Sequence, residues 1–151
     1  MKVSNINWEF HHFNQLNVSH LYRLLKLRQE IFIVEQNSPY QDIDELDCFS
    51  YHLLGYNNEV LSAYLRIVPP NKKYKEPSLG RIVVSKFLRG HGLGTELVKQ
   101  GMKHTMDLYK TGKIRIQAQS HLQKFYEKIG YKTVTDTYMK DGIPHIEMLT
   151  S

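Results

Sequence analysis

Cysteine, long apolar runs and glycine–proline tracts are scarce in this chain. A single cysteine, Cys48, excludes an intramolecular disulfide and any zinc cluster built on cysteine. Nine glycines and five prolines are too few for a collagenous or linker-like chain. No stretch reaches the ~18 apolar residues of a membrane-spanning helix. The first ten residues lack the layout of a signal peptide, so we expect a cytoplasmic protein.

The size and charge of the chain suit one globular domain. Its 151 residues can bury a core of their own, and we expect a single domain over residues 1–151. The net charge of +5 mildly favours anionic partners such as nucleic acid, anionic lipid or phosphorylated small molecules. The basic residues are scattered, without an aromatic-interleaved patch, so we expect neither nucleic-acid nor membrane binding. The eight histidines show no metal-ligand spacing, and we expect no metal.

Hydrophobic periodicity predicts a mixed α/β (α+β) domain around one sheet. The first long helix is capped by Asn17 or Ser19 and ends near Val34, and the acidic, irregular segment 40–49 follows it. We expect strand 79–84 to be buried on both faces, because its end is continuously apolar. A turn at Asp141–Gly142 joins the last two strands. The other predicted elements are strands 8–13, 51–56, 60–68, 113–118, 131–139 and 144–149, the hairpin turn 57–58 and helices 92–109 and 121–129.

The segment from Val83 to Thr95 carries the strongest chemical signal. An apolar strand ends there, three alternating glycines follow, and a long helix begins. Glycines let the backbone approach a ligand, and the first turn of a helix offers unpaired N–H groups with partial positive charge. The pattern predicts an anion site suited to a phosphate or pyrophosphate.

Two common phosphate-binding motifs do not fit this segment. A Walker A loop needs Gly-Lys followed by Ser or Thr, whereas Gly94 is followed by Thr95 and Glu96. A dinucleotide fingerprint needs glycine at position 95 and a place early in a βαβ unit. A simple glycine-rich turn, closing a strand–helix connection, is the structural alternative.

The chain resembles the GNAT family of N-acetyltransferases. Arg89-Gly90-His91-Gly92-Leu93-Gly94 matches the family's Arg/Gln-x-x-Gly-x-Gly/Ala pattern, and segment 125–131 looks like its second motif, Phe-Tyr-x-x-x-Gly-Phe/Tyr. Segments 27–36, 40–44 and 141–148 are similar to the ElaA-like subgroup. The resemblance implies a mostly antiparallel sheet with a splayed parallel pair, 79–84 and 113–118, and helices on both faces.

The resemblance also implies where acetyl-CoA would bind. Strand 79–84 would pair with the pantetheine arm, and the loop 89–95 would hold the pyrophosphate. Lys86, Arg89, Lys124 and Lys128 are candidates for the adenosine phosphate. The cofactor-binding residues expected on this basis are Ile82, Val83, Val84, Arg89, Gly90, His91, Gly92, Leu93, Gly94, Thr95, Gln119, Phe125 and Tyr126.

Acyl transfer to an amine needs a proton donor for the leaving thiolate and an acceptor for the amine proton. Tyr126 matches the family's general acid, since a phenol is protonated at neutral pH. His121, His145 or Glu35 is the expected base, chosen from a wider set that includes Asp42, Asp44, Asp47 and His52, and a water relay is an alternative. Glu35, Asp44 and His145 are the candidate acceptor-binding residues.

Segment 42–47 allows two interpretations. It is either a solvated acidic loop or a surface that recognises a positively charged acceptor. The function expected from the resemblance is transfer of acetyl from acetyl-CoA to a primary amine of a small molecule or peptide. A non-catalytic acyl-CoA-binding module is the alternative, and a homodimer is common among relatives.

Overall fold

An eight-stranded sheet forms the centre of the molecule. The computed structural model describes residues 5–150. The strand order is β1-β2-β3-β4-β5-β8-β6, with β7 pairing beside β8, and every pair is antiparallel except β4–β5. The strands are β1 Ile6–His12, β2 Tyr51–Asn57, β3 Val60–Val68, β4 Ser78–Val84, β5 Arg115–Gln119, β6 Tyr131–Thr133, β7 Tyr138–Lys140 and β8 Ile143–Thr150; the helices are α1 Val18–Arg28, α2 Leu93–Tyr109 and α3 Gln123–Ile129.

The parallel strands β4 and β5 separate soon after they start. They pair only at Ser78–Arg115 and Leu79–Ile116, and beyond these residues a gap opens between them. A bulge in β4 accompanies the separation: Tyr64 pairs with Val83 but Arg66 pairs with Gly80, so two β4 residues oppose one residue of β3. A bulge bends and twists its strand, which turns β4 away from β5. The predicted splayed parallel pair is confirmed.

The sheet carries helices on both faces, as the sequence predicts. Leu53 packs in the cluster that includes α2 and α3, and its neighbour Leu54 packs in the cluster that includes α1. Successive strand side chains point to opposite faces, so one strand serves two cores. At Gly101, a Cβ would lie 2.6 Å from the Leu65 side chain, so the missing side chain lets α2 approach β3. In residues 5–150, no helix is long and apolar enough to cross a membrane.

The first long helix changes its hydrogen-bond pattern part of the way along. Asn17 caps it, its side chain accepting from the His20 N–H at 2.7 Å. α1 ends at Arg28, and the π-helical segment Gln29–Glu35 continues it. π-helical turns are rare in proteins overall, and those that occur are often found at functional sites. The predicted helix is therefore present over its expected span, and its last two turns are wider than an α-helix.

Three local predictions need correction. The single strand predicted over 131–139 is two strands, β6 and β7, because each pairs with a different part of β8. The β2–β3 turn lies at Asn58 and Glu59, one residue later than predicted, where both residues have positive φ. In β4 only Val83 of the apolar end is buried, because it packs in the cluster with α1, whereas Ile82 and Val84 are half-buried. The Asp141–Gly142 turn is confirmed, with positive φ at both residues.

Candidate active site

A cleft of about 870 Å³ extends from the gap between β4 and β5. β4 and β5 line it together with the π-helical segment, the loop after that segment and the β7–β8 hairpin. Residues predicted from distant parts of the sequence therefore meet at one site. Those that line the cleft are Glu35, Asp44, Ile82, Val83, Val84, Arg89, Gln119, His121, Tyr126 and His145.

The glycine-rich loop lies beyond the end of β4, next to the cleft. Gly90 and Gly92 have positive φ, and a Cβ added to either would meet nothing within 4 Å. No side chain caps the start of α2, so the first N–H groups of this helix are left without a partner from a capping side chain. Gly94 brings the helix start against Phe125, whose ring would lie 3.6 Å from an added Cβ. The open backbone and the uncapped helix make a site for an anion.

The remaining loop residues have separate positions. Leu93 is buried in the core below α2, His91 is exposed, and Thr95 lies on the first turn of α2. Lys86, Lys124 and Lys128 do not line the cleft. Their part in binding a phosphate stays a prediction.

Arg89 turns toward the cleft. Its Nη1 lies 2.8 Å from Glu35 Oε2, and its Nε donates to the Val84 carbonyl at 3.1 Å. The ion pair joins the end of the π-helical segment to the loop before α2. Glu35, a candidate base, is therefore held in an ion pair with Arg89.

Tyr126, in α3, presents a phenol from the face of the sheet that carries α2 and α3, opposite the face that carries α1. It is 5% exposed, lines the cleft, and packs edge-on against Phe125 and Tyr131. Burial raises the pKa of Tyr126 above its ordinary value. Among residues 5–150, its hydroxyl has no hydrogen-bond partner. The phenol therefore stays protonated and has its proton to donate.

The two candidate histidines differ in how they are held. His145 is half-buried at the start of β8, and its Nδ1 lies 2.7 Å from the Ile143 carbonyl. A carbonyl can only accept, so Nδ1 carries the proton and Nε2 of the neutral ring has a free lone pair. His121 is exposed in the turn between β5 and α3. The geometry favours His145 as a proton acceptor in the cleft.

The acidic segment is not the solvated loop that the sequence suggested. Three buried or half-buried arginines, Arg28, Arg66 and Arg81, hold its carboxylates. Arg28 binds Asp42 and Asp47, each at 2.8 Å, and Arg66 binds Asp44 at 2.6 Å and Asp47 at 3.1 Å. Arg81, which has a φ of 50° in the bulge, binds Asp42 at 2.9 Å and Asp44 at 3.3 Å.

The charges in this network are balanced, so its acids are not free to attract a cation. Burial by itself would raise the pKa of Asp44, but the hydrogen bond and charge of Arg66, with the charge of Arg81, lower it to about 2. The sequence held a signal for these pairs that the motif analysis missed. Arg66 stands inside the apolar strand β3, and a buried arginine requires acidic partners.

His52 belongs to this buried network rather than to the cleft. Its Nε2 donates to the Asp47 carbonyl at 3.0 Å, and its Nδ1 therefore accepts from the Tyr64 hydroxyl at 2.6 Å. Burial lowers the pKa of His52 to about 4, with smaller opposing contributions from Asp47. The ring is neutral and does not line the cleft, so its place does not support a role as the base.

Two lysines that the motif analysis missed also line the cleft. Lys73 lies in the loop between β3 and β4, and Lys140 is the last residue of β7. Both ammonium groups donate to Gln117 Oε1, at 3.4 and 2.9 Å. Gln117 donates in turn to the Tyr138 hydroxyl at 2.6 Å. Single lysines that are distant in sequence carry no sequence signal of this kind, because only the fold brings them together.

One group of side chains outside the cleft has the composition of a metal site. Glu9 Oε1 lies 3.0 Å from His11 Nε2 and 3.2 Å from His20 Nε2. The His20 Nδ1 accepts from the Asn17 N–H at 3.3 Å, which places the ring proton on Nε2, where it can donate to Glu9. A metal on that Nε2 would require a proton on Nδ1 and would remove the hydrogen bond from the Asn17 N–H, one of the two that cap the helix. Hydrogen bonds alone account for this cluster.

Known proteins share both the sequence and the fold. The family model for the acetyltransferase (GNAT) domain matches residues 28–151. The protein ElaA of Escherichia coli K12 is 41% identical over 145 residues, which cover 95% of each chain. The crystal structure of E. coli ElaA has a TM-score of 0.92 and covers 97% of this chain and 100% of that one, at 40% identity.

Two further structures extend the comparison. An acyl-CoA N-acyltransferase from Pseudomonas aeruginosa is 37% identical, with a TM-score of 0.93, and covers 97% of this chain and 100% of that one. A GNAT family acetyltransferase from Elizabethkingia anophelis, solved with acetyl-CoA bound, is 14% identical, with a TM-score of 0.65 and coverage of 97% and 98%. The second likeness is one of fold.

Proposed function

Because the chain belongs to the GNAT acetyltransferase family, we propose that it transfers the acetyl group of acetyl-CoA directly to a primary amine. One observation carries the proposal: the cleft that extends from the gap between β4 and β5 is lined both by Arg89, in the loop before the uncapped helix α2, and by Tyr126. A cofactor with a phosphate at one end and a thioester at the other has the shape for this path.

The donor would use main-chain groups at both ends of the path. Free backbone groups on β4 beyond Leu79 can pair with the pantetheine amides as an added strand would. The N–H groups of Leu93, Gly94 and Thr95 would hold the pyrophosphate. The structure with bound acetyl-CoA from E. anophelis shares this fold and supports the choice of donor.

The transfer itself needs two proton movements. The amine nitrogen attacks the thioester carbonyl carbon, a C–N bond forms, and the C–S bond breaks. The amine gives up one proton, which the free Nε2 of His145 takes directly or through water. The departing thiolate takes one proton from the Tyr126 hydroxyl. Protons balance overall, since the amine loses one and the thiol of CoA gains one.

A coupled assay tests the proposal. Purified protein is mixed with acetyl-CoA and a broad panel of amines, free CoA thiol is measured, and the acetylated amine is identified by mass spectrometry. The expected result is thiol release that depends on the amine and on the enzyme. Tight acetyl-CoA binding without turnover across the panel would instead identify a non-catalytic binding module.

A further inference from the structure

The charged groups that line the cleft fall into paired and unpaired sets. Glu35 is paired with Arg89, and both oxygens of Asp44 are held by Arg66 and Arg81. Asp141 lies in the exposed turn between β7 and β8. Among the lysines and arginines that line the cleft, Lys73 and Lys140 are the two that form no ion pair with a carboxylate of residues 5–150.

The fold holds the two lysine ammonium groups near each other, although their like charges repel. Both are half-buried, and both direct the ammonium group to one neutral oxygen, Gln117 Oε1. Burial, together with the nearby charges of Lys140, Arg66 and Arg81, lowers the pKa of Lys73 to about 8, against a smaller opposing effect of Asp44. An anion bound between two such like charges would offset their repulsion and stabilise both ammonium groups.

The lysines lie on the side of the sheet opposite the Tyr126 phenol. Gln117 and Gln119 alternate with Ile116 and Ala118, which pack in the core with α3. Gln117 and Gln119 therefore face the other way, toward α1, as does His145, the partner of Gln119 on β8. The free Nε2 of His145 and the two ammonium groups are thus on one face, where an amine acceptor would lie.

From these contacts we propose that Lys73 and Lys140 form a subsite for an anionic group of the acceptor. The acceptor is then an amine that also carries a carboxylate or a phosphate, and not a polyamine. This inference rests on the proposed function for the identity of the acceptor. It reverses the expectation that acidic residues of segment 42–47 recognise a cation, because those acids are neutralised by arginines within the protein.

Matched acceptors test the subsite. We compare γ-aminobutyrate with butylamine, ε-aminocaproate with hexylamine, and phosphorylethanolamine with ethanolamine, each with acetyl-CoA. The expected result is that at least one amine with an anionic group has a kcat/KM about tenfold or more above that of its partner without one, the gain of one charge-assisted contact. The carboxylate and phosphate pairs show which anion is preferred. Equal kcat/KM values within all three pairs overturn the proposal.

Lysine variants locate the effect. Lys140→Gln and Lys73→Gln are each expected to remove most of the preference for the amine with an anionic group. The kcat/KM of the amine without that group is expected to stay the same. Lys75→Gln is the matched control, since Lys75 is exposed in the same loop as Lys73 and does not line the cleft. The assignment is overturned if kcat/KM falls equally for amines with and without the anionic group, or if Lys75→Gln also loses the preference.

A binding measurement separates this inference from the proposed activity. Butyrate is titrated into the CoA-loaded protein, and the NMR signals of the lysine side chains are followed. Shifts at Lys73 and Lys140, but not at Lys75, support the subsite even if no amine is acetylated, in which case the proposed function alone fails. Amine turnover together with no shift at Lys73 or Lys140 overturns the subsite and leaves the activity intact.

Discussion

The carboxylate of Glu35 lies 2.8 Å from the guanidinium of Arg89, across one side of the cleft. Arg89 also donates to the Val84 carbonyl, a group that a pantetheine amide would use. Binding of the cofactor would then compete with Arg89 for this oxygen. The ion pair connects the π-helical segment with the loop before α2, and it holds the carboxylate of Glu35, one of the candidate bases.

Replacing Glu35 with Gln tests whether this carboxylate takes a proton. Since the pair is partly exposed, its loss is worth about 1 kcal/mol or less, and kcat is expected to fall by less than about tenfold. The freed positive charge of Arg89 is expected to leave the Kd of acetyl-CoA unchanged or slightly lower. Steady-state kinetics and calorimetry measure both, with Glu30→Gln, an exposed residue of the same segment, as control. A hundredfold loss of kcat in Glu35→Gln would restore Glu35 as the base.

Replacing Tyr126 with Phe removes the proposed proton donor. The expected result is a kcat lower by about a hundredfold or more, with the Kd of acetyl-CoA within about twofold, because the ring and its packing are kept. Tyr131→Phe is the control: that buried hydroxyl has no partner within the described chain, and its loss leaves activity unchanged. Full activity of Tyr126→Phe would remove this residue from the acid role.

Replacing Gly92 with Val tests the loop as the pyrophosphate site. Gly92 has a φ of 79°, which a β-branched residue adopts only under strain, and the added methyl groups occupy open space at the start of α2. We expect the Kd of acetyl-CoA to rise by at least about tenfold. Gly112→Val, at an exposed position without positive φ, controls for the general effect of valine. Unchanged affinity, measured on a folded variant, contradicts the site.

Replacing Asp47 with Asn tests the buried network. Asp47 is 5% exposed and serves both Arg28 and Arg66, so the variant leaves two buried guanidinium groups with one fewer counter-charge. We expect the free energy of unfolding to fall by about 3–5 kcal/mol, measured by urea denaturation. Glu45→Gln, exposed in the same loop, is expected to change it by less than about 0.5 kcal/mol. Equal stability of the two variants would show that the network contributes little.

The stability of the protein is expected to fall in two steps as the solution is acidified. The pKa of His52 is about 4 when folded, against an ordinary value of 6.5, so protonation favours the unfolded chain between these values. The stability from His52 is complete above pH 6.5 and is lost by about pH 4, on the order of 3 kcal/mol in total.

The second step belongs to the aspartates. The folded pKa of Asp44 is about 2, below its ordinary value of 3.8, so its contribution is present above pH 3.8 and is lost as the pH falls through 2. Urea titrations at a series of pH values measure both steps. His52→Gln is expected to flatten only the first step, and an unaltered pH profile in that variant would refute the assignment.

Most of the local structure follows from short sequence patterns. The glycines before α2, the Asp141–Gly142 turn and the alternating strand β3 are all where the sequence predicts them, because each depends on neighbouring residues. The break between β6 and β7 was missed, since it depends on how each strand pairs with β8. The same limit applies to the cleft, which exists because β4 and β5 pair for only two residues.

Short segments of the sequence are enough to predict the glycine-rich loop, the phenol that follows β5 and the family to which both belong, since each is encoded by neighbouring residues. The tertiary structure alone decided which charges neutralise each other. Arg66 reaches Asp44 across 22 residues of chain, and Lys140 reaches Gln117 across 23. Electrostatic attraction depends on distance in space and on burial, neither of which can be read from positions along the chain.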